Sequence, residues 1–251
     1  MTDEVLHGGV NRVVRVAHTV HRPVGDWSET VHRLLNHVTG LGFTGAPRAH
    51  GIDPLGHEVL DFVAGDTPDE RDDALIRDDA NLTAVAAMLR AYHDATADFP
   101  MQPADHWYFP PREPAEVICH GDVAPYNTVY RDGRPVAFID FDTAHPGPRV
   151  WDVAYAAYRF VPLSQDGPPV DEQARRLRLF ADGYGLSLPD REQLVDVAVE
   201  RLRHLIAHMR DRAGAGHPAF ASHLADGHDR LYETDRAHLR AHRDHLTAAL
   251  R

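Results

Sequence analysis

Along the first 60 or so residues, short apolar and β-branched runs alternate with turn signals, the pattern of a small sheet with one helix inserted. Val10 to Val16 and Thr19 to Arg22 are separated by Ala17-His18 and closed by Pro23, which predicts a hairpin. From Asp26 or Ser28, either a suitable N-cap, Val31, Leu34, Leu35 and Val38 recur at helical spacing until Gly40 and Gly42 end the helix. Ala46 to Gly51 reads as extended. After the turn Asp53-Pro54-Leu55-Gly56 the run His57 to Val63 returns to strand, ending near Gly65. An acidic stretch, Asp66 to Asp79, leads into a helix from about Leu82 to His93 with Val85, Met88, Leu89 and Tyr92 on one face. A proline-rich connection follows, then a strand over Glu116 to Cys119. Two more strands, Thr128 to Tyr130 and Pro135 to Ile139, are joined by the turn Arg131-Asp132-Gly133-Arg134, and the periodicity beyond predicts helices over 150–160, 171–183, 190–212 and 218–248. The boundary expected from this pattern divides a lobe over 1–63 from a largely helical lobe over 64–251.

Composition narrows the chemistry. The chain has 251 residues, 43% of them hydrophobic, enough for a proper core, and no run long enough to span a membrane. The acidic start Met1-Thr2-Asp3-Glu4 is unlike a secretory signal, so the expected location is cytoplasmic. The formal charge of −12, from 38 acidic and 26 basic residues, repels nucleic acid and anionic lipid. The same balance attracts a cationic small molecule and equally serves solubility. All 26 basic residues are arginine. Without lysine, a Walker-A loop, a pyridoxal Schiff base and a Ser-Lys dyad are excluded. A single cysteine, Cys119, forbids an internal disulfide and reads as buried filler. No heptad seam appears, so a monomer is the default.

The informative segment is His120-Gly121-Asp122-Val123-Ala124-Pro125-Tyr126-Asn127, with Ile139-Asp140-Phe141-Asp142 beyond the next hairpin. Taken singly, each Asp or Asn is an ordinary turn residue. Taken in this order, they match the template for phosphoryl transfer, in which an Asp accepts the acceptor hydroxyl's proton and an Asn five residues on, with a later Asp, holds metal against the phosphates. Hard oxygen donors suit Mg²⁺, whose charge the loose transition state requires.

On those residues the chain resembles the aminoglycoside phosphotransferase and choline kinase-like family of small-molecule kinases. The matching motifs are His120-Gly121-Asp122 with Asn127, and Ile139-Asp140-Phe141-Asp142; Gly65, the helix end at Leu89 to His93 and Trp151-Asp152-Val153-Ala154 are also similar. The resemblance implies an α+β, protein-kinase-like two-lobed fold and transfer of the γ-phosphoryl group of ATP or GTP, with Mg²⁺, to a hydroxyl of a small, polyhydroxylated acceptor such as an aminoglycoside, which would be cationic. It makes Asp122 the base, Asn127 and Asp140 the metal ligands, and Asp61 and Val63 the source of backbone groups for the nucleotide base. Asp152 is expected to serve structure, as a cap or a partner for loop backbone, and His120 to brace the loop.

The family's strand lysine has no counterpart. Arg22 is the expected substitute, Glu29 its expected partner and Arg15 the reserve. Gly8-Gly9-Val10-Asn11 stands where a nucleotide-covering loop belongs but lacks the full glycine pattern. Asp142, Tyr126, Trp107 and the C-terminal helices are candidate acceptor liners. The histidine pair His204 and His208, and the group His238, His242 and His245, are read as exposed or capping residues. Two further readings stay open: a nucleotide-binding immunity or regulatory module with little transferase activity, and a primary-metabolite kinase.

Overall fold

The computed structural model describes residues 4–7, 12–68 and 74–251. Gly8-Gly9-Val10-Asn11 lies outside the described residues, as do positions 69–73 of the acidic stretch. Five antiparallel strands form the N-terminal sheet in the order β1-β2-β3-β5-β4: β1 Glu4–His7, β2 Arg12–Val16, β3 Thr19–Pro23, β4 Ala49–Ile52 and β5 His57–Asp61. Strand β1 had no periodic signal, and β5 stops two residues short of Val63.

Helix α1, Ser28–Gly40, connects β3 to β4 and buries Val31, Leu34, Leu35 and Val38, the stripe its spacing predicted. Burying each such side chain contributes about 1.5–3 kcal/mol. Neither expected N-cap is used. Trp27 holds the cap position without a side-chain bond, and Ser28, already helical, accepts from the Gly25 N–H at 3.0 Å.

The rest of the chain is mostly helical. After the single turn α2, Ala74–Arg77, helix α3, Asp79–Thr96, starts on the Asp78 carboxylate, which accepts from the Asn81 N–H. Short strands β6, Val117–Cys119, and β9, His145–Gly147, pair with each other, and β7, Thr128–Arg131, forms the expected hairpin with β8, Arg134–Phe138. Helices α4, Arg149–Phe160, α5, Val170–Tyr184, and α6, Leu188–Gly214, follow. The expected last helix over 218–248 is three pieces: α7, Pro218–Ala225, α8, His228–Ala241, and α9, Arg243–Ala249. Gly227, at φ 82°, makes the first break, because left-handed backbone cannot continue a right-handed helix.

One apolar core runs through α1, α3, the β7–β8 hairpin and the C-terminal helices, with Tyr92, Phe138, Phe141 and Phe180 almost wholly buried. Gly65 docks the chain leaving the sheet onto β7. Its φ is +147°, and a Cβ there would lie 2.3 Å from the Tyr130 carbonyl oxygen, so only glycine permits the approach. The neighbouring Asp66 and Tyr130 then exchange two backbone hydrogen bonds of 2.8 Å.

Candidate active site

The segment between β6 and β7 is held from beneath by a buried carboxylate. Asp152, on the first turn of α4, accepts from the backbone N–H groups of His120 at 2.7 Å and Gly121 at 2.9 Å, and from His93 Nε2 at 3.1 Å. Burial alone would raise its pKa; the hydrogen bond from His93 and the backbone donors of the loop overcome that and hold it at about 2. The partner His93 is pushed below its ordinary range, chiefly by burial, so its neutral ring donates to Asp152 and accepts from Tyr184 Oη at 2.7 Å. The expectation that Asp152 partners loop backbone holds.

His120 braces the loop as expected. One ring nitrogen accepts from the Asp122 N–H, the other donates to the Ile139 carbonyl at 3.1 Å, and the ring packs 4.4 Å from that of Phe141. Gly121 passes so close to the next loop that a Cβ would lie 2.4 Å from the Thr143 carbonyl oxygen. Thr143 in turn donates its hydroxyl to the His120 carbonyl at 3.1 Å.

These ties bring the two motif segments together. Asp122 accepts from Tyr126 Oη at 2.9 Å on one oxygen and from Asn127 Nδ2 at 2.9 Å on the other. The Asn127 carbonyl accepts from the Ile139 N–H at 2.9 Å, which puts Asn127 beside the residue preceding Asp140. Asp140 has left-handed backbone, φ 63° and ψ 66°, a conformation unusual for a residue other than glycine and concentrated at functional sites. Its side chain is half exposed. The Asn127 amide oxygen and the Asp140 carboxylate are hard donors, and two protein ligands with the remainder left to phosphates and water is the usual provision for Mg²⁺, so the donor set fits that ion. Among the described residues, no cluster of three or more His, Cys, Asp or Glu side chains suits a metal.

Arg22 lies in this site, but its partner is not Glu29, which is exposed on the outer side of α1. The guanidinium meets Glu58 of β5 through Nε at 2.6 Å, Asp140 through one terminal nitrogen at 2.8 Å, and Asp142 through the other. Helix α1 contributes His32 instead, whose Nε2 lies 2.8 Å from Glu58. The reason is register: Arg22 and Glu58 are paired across β3 and β5 on one face of the sheet. Burial, together with Asp140 and Glu58 and against the pull of Arg22, pushes the Asp142 carboxyl up to about 6.

The remaining expected residues are more scattered. The reserve Arg15 stacks 3.8 Å over Phe62. Asp61 gives its N–H to the Arg48 carbonyl at 3.0 Å, and its carboxylate binds the Arg48 N–H and His50, so that N–H is already committed. Val63 follows the strand, half-buried. Trp107 lines a cavity of about 340 Å³ with Met101, His106 and Phe109, among whose lining residues neither Asp122 nor Asp140 appears. His204 and His208 are half-buried rather than exposed. Both rings pack on Phe109, and His208 bonds Tyr108 Oη at 3.1 Å.

Besides Glu58 and His32, sequence reasoning missed Arg201. Buried on α6, it donates to the Gly121 carbonyl at 2.6 Å and lies 4.4 Å from the Tyr155 ring. In sequence it is one of many helical arginines, and nothing local distinguishes it.

Sheet lobe, helical lobe and two motif loops facing each other define the class, a small-molecule phosphotransferase of protein-kinase-like fold. The model of the phosphotransferase enzyme family matches residues 104–194, which contain both loops. The chain is 34% identical over 211 residues to the trifolitoxin immunity protein of Rhizobium leguminosarum bv. trifolii, covering 78% of this chain and 79% of that protein. It belongs to the phosphotransferase enzyme family. Solved structures share the fold: a choline/ethanolamine kinase family protein from Mesorhizobium loti has TM-score 0.66 at 15% identity, covering 96% of this chain and 93% of the other. The GDP and kanamycin complex of APH(2")-IIia has TM-score 0.62 at 15% identity, over 94% and 93%.

Proposed function

We propose that this protein transfers the γ-phosphoryl group of ATP or GTP to a hydroxyl of a small, polyhydroxylated, cationic acceptor of the aminoglycoside kind. The observation that carries this reading is the joining of Asp122, Asn127 and Asp140 across two loops by the Asn127 amide and the Asn127–Ile139 backbone bond. Tyr126 and Asn127 fix both oxygens of Asp122, so the carboxylate is oriented before an acceptor arrives. Asp122 takes the hydroxyl proton as the acceptor oxygen bonds to phosphorus and the bond to the nucleoside diphosphate breaks. Asn127 and Asp140 would hold Mg²⁺, which supplies charge neutralisation on the phosphates when bound. Arg22 offers two terminal nitrogens, a fork suited to phosphate oxygens. The formal charge of −12 gives a negative field for a cationic molecule.

The test is turnover with ATP and with GTP over an acceptor panel of aminoglycosides, choline, ethanolamine and sugars, with product mass as the readout. Asp122→Asn should lower kcat by about 100-fold or more while leaving nucleotide KM nearly unchanged. If phosphorylated product forms equally with Asp122→Asn, the reading is wrong.

The identity to a protein named for immunity to trifolitoxin favours a second reading, protection of the cell from a toxic compound, through modification or through binding alone. Exposing cells with and without the gene to a toxin panel tests protection. Asp122→Asn then separates the two routes, since protection by binding survives the substitution.

A further inference from the structure

Three carboxylates converge on one guanidinium in this site. Glu58, itself paired with His32, lies against Arg22 Nε deep in the sheet lobe, while the terminal nitrogens of Arg22 reach across to Asp140 and Asp142 on the loop after β8. The Arg22 side chain is 8% exposed and that of Asp140 is 50% exposed, so an incoming cation meets the carboxylate first. A lysine could offer one ammonium to one such carboxylate; the planar fork of arginine spans two.

We propose that Arg22 is a displaceable counter-ion of the metal loop, competing with a divalent cation for Asp140 and released toward the nucleotide phosphates when the cation arrives with its nucleotide. This rests on the reading of Asp140 as a metal ligand. A guanidinium hydrogen-bonded to a carboxylate withdraws its lone pairs, and two cations on one carboxylate repel each other. Bare divalent metal must therefore compete with the Arg22–Asp140 contact and leaves the displaced terminal nitrogen without a new partner. A nucleotide-bound cation brings phosphate oxygens, which give the freed terminal nitrogens new partners. Glu58 keeps its hold on Nε throughout, so Arg22 needs only to pivot about its inner end. The single guanidinium, bound to both carboxylates at once, keeps Asp140 and Asp142 gathered against their mutual repulsion.

The consequence is an opposite-signed effect that a merely structural arginine would not give. Removing Arg22 should weaken nucleotide binding and tighten binding of the metal alone. The experiment titrates Mn²⁺ alone, without nucleotide, into the full chain and reads affinity from water-proton relaxation; nucleotide KM is measured in parallel. Arg22→Met should bind Mn²⁺ about tenfold tighter, the size of one lost charge-assisted contact at a cleft edge. Arg22→Lys should fall between the two proteins, and it carries the test should Arg22→Met fail to fold because buried Glu58 keeps only His32 as a partner. Asp140→Asn separates the two levels of the argument. If it abolishes Mn²⁺ binding while neither Arg22 variant tightens it, the competition is refuted and the metal reading stands. If Asp140→Asn leaves Mn²⁺ affinity unchanged, the metal reading falls and the competition with it.

Discussion

Asp152 offers the sharpest test of how the motif loop is held. It is 1% exposed and receives three N–H donors, from His120, Gly121 and His93. Holding a carboxyl at about 2 against an ordinary 3.8 corresponds to ~2 kcal/mol of folding stability at neutral pH. Asp152→Asn removes the charge and turns an amide NH₂ toward a donor. One oxygen cannot serve both backbone N–H groups, so one stays buried and unpaired whichever way the amide lies, at a cost of about 1–3 kcal/mol. The expected loss is therefore ~3–5 kcal/mol by urea unfolding at pH 7. The sign follows from a depressed carboxyl. The ionic part of the stabilisation is complete above the unfolded value near 4 and disappears as pH falls through about 2. The gap between wild type and Asp152→Asn should thus be constant from pH 7 to 5 and narrow between pH 4 and 2. A gap below ~0.5 kcal/mol at pH 7, or one that widens on acidification, would refute the reasoning.

Two further outcomes are expected. Gly121→Ala should lower stability by ~2 kcal/mol or more and cut turnover, since its φ of +83° and the Thr143 carbonyl at 2.4 Å leave no room for a methyl group; thermal unfolding beside a steady-state assay reads both. His204 and His208 are each lowered to about 4, first by burial and then by nearby arginines, so the unfolded chain binds more protons than the native one below about pH 6.5. Stability should fall between pH 6.5 and 4, and His208→Gln should flatten that fall in urea midpoints taken across the range.

The parts legible in sequence were those with local causes. The α1 stripe of Val31, Leu34, Leu35 and Val38 follows from period 3.6, the β7–β8 hairpin from its Asp132-Gly133 turn, and the meeting of the Asn127 loop with the Ile139-Asp140 segment from the order of the motifs. Arg22 stood out because the chain has no lysine to take its place. Its partner was misassigned because the family resemblance suggests a glutamate on the following helix, Glu29, while strand register across 36 positions of chain, from Arg22 to Glu58, decided otherwise. Strand β9 is three residues long and contains a proline, so no alternation could reveal it.

By itself, then, the order of residues determined the helix faces, the turns and which oxygen-bearing side chains were available for phosphoryl chemistry, since these depend on neighbours a few positions away. Tertiary structure decided who meets whom. That Glu58 meets Arg22 while His32 pairs with Glu58, that Arg201 reaches the Gly121 carbonyl from α6, and that Asp152 lies beneath the loop are consequences of packing. Burial turns such contacts from optional into obligatory, because a charged group shut away from water must find its partner in the fold.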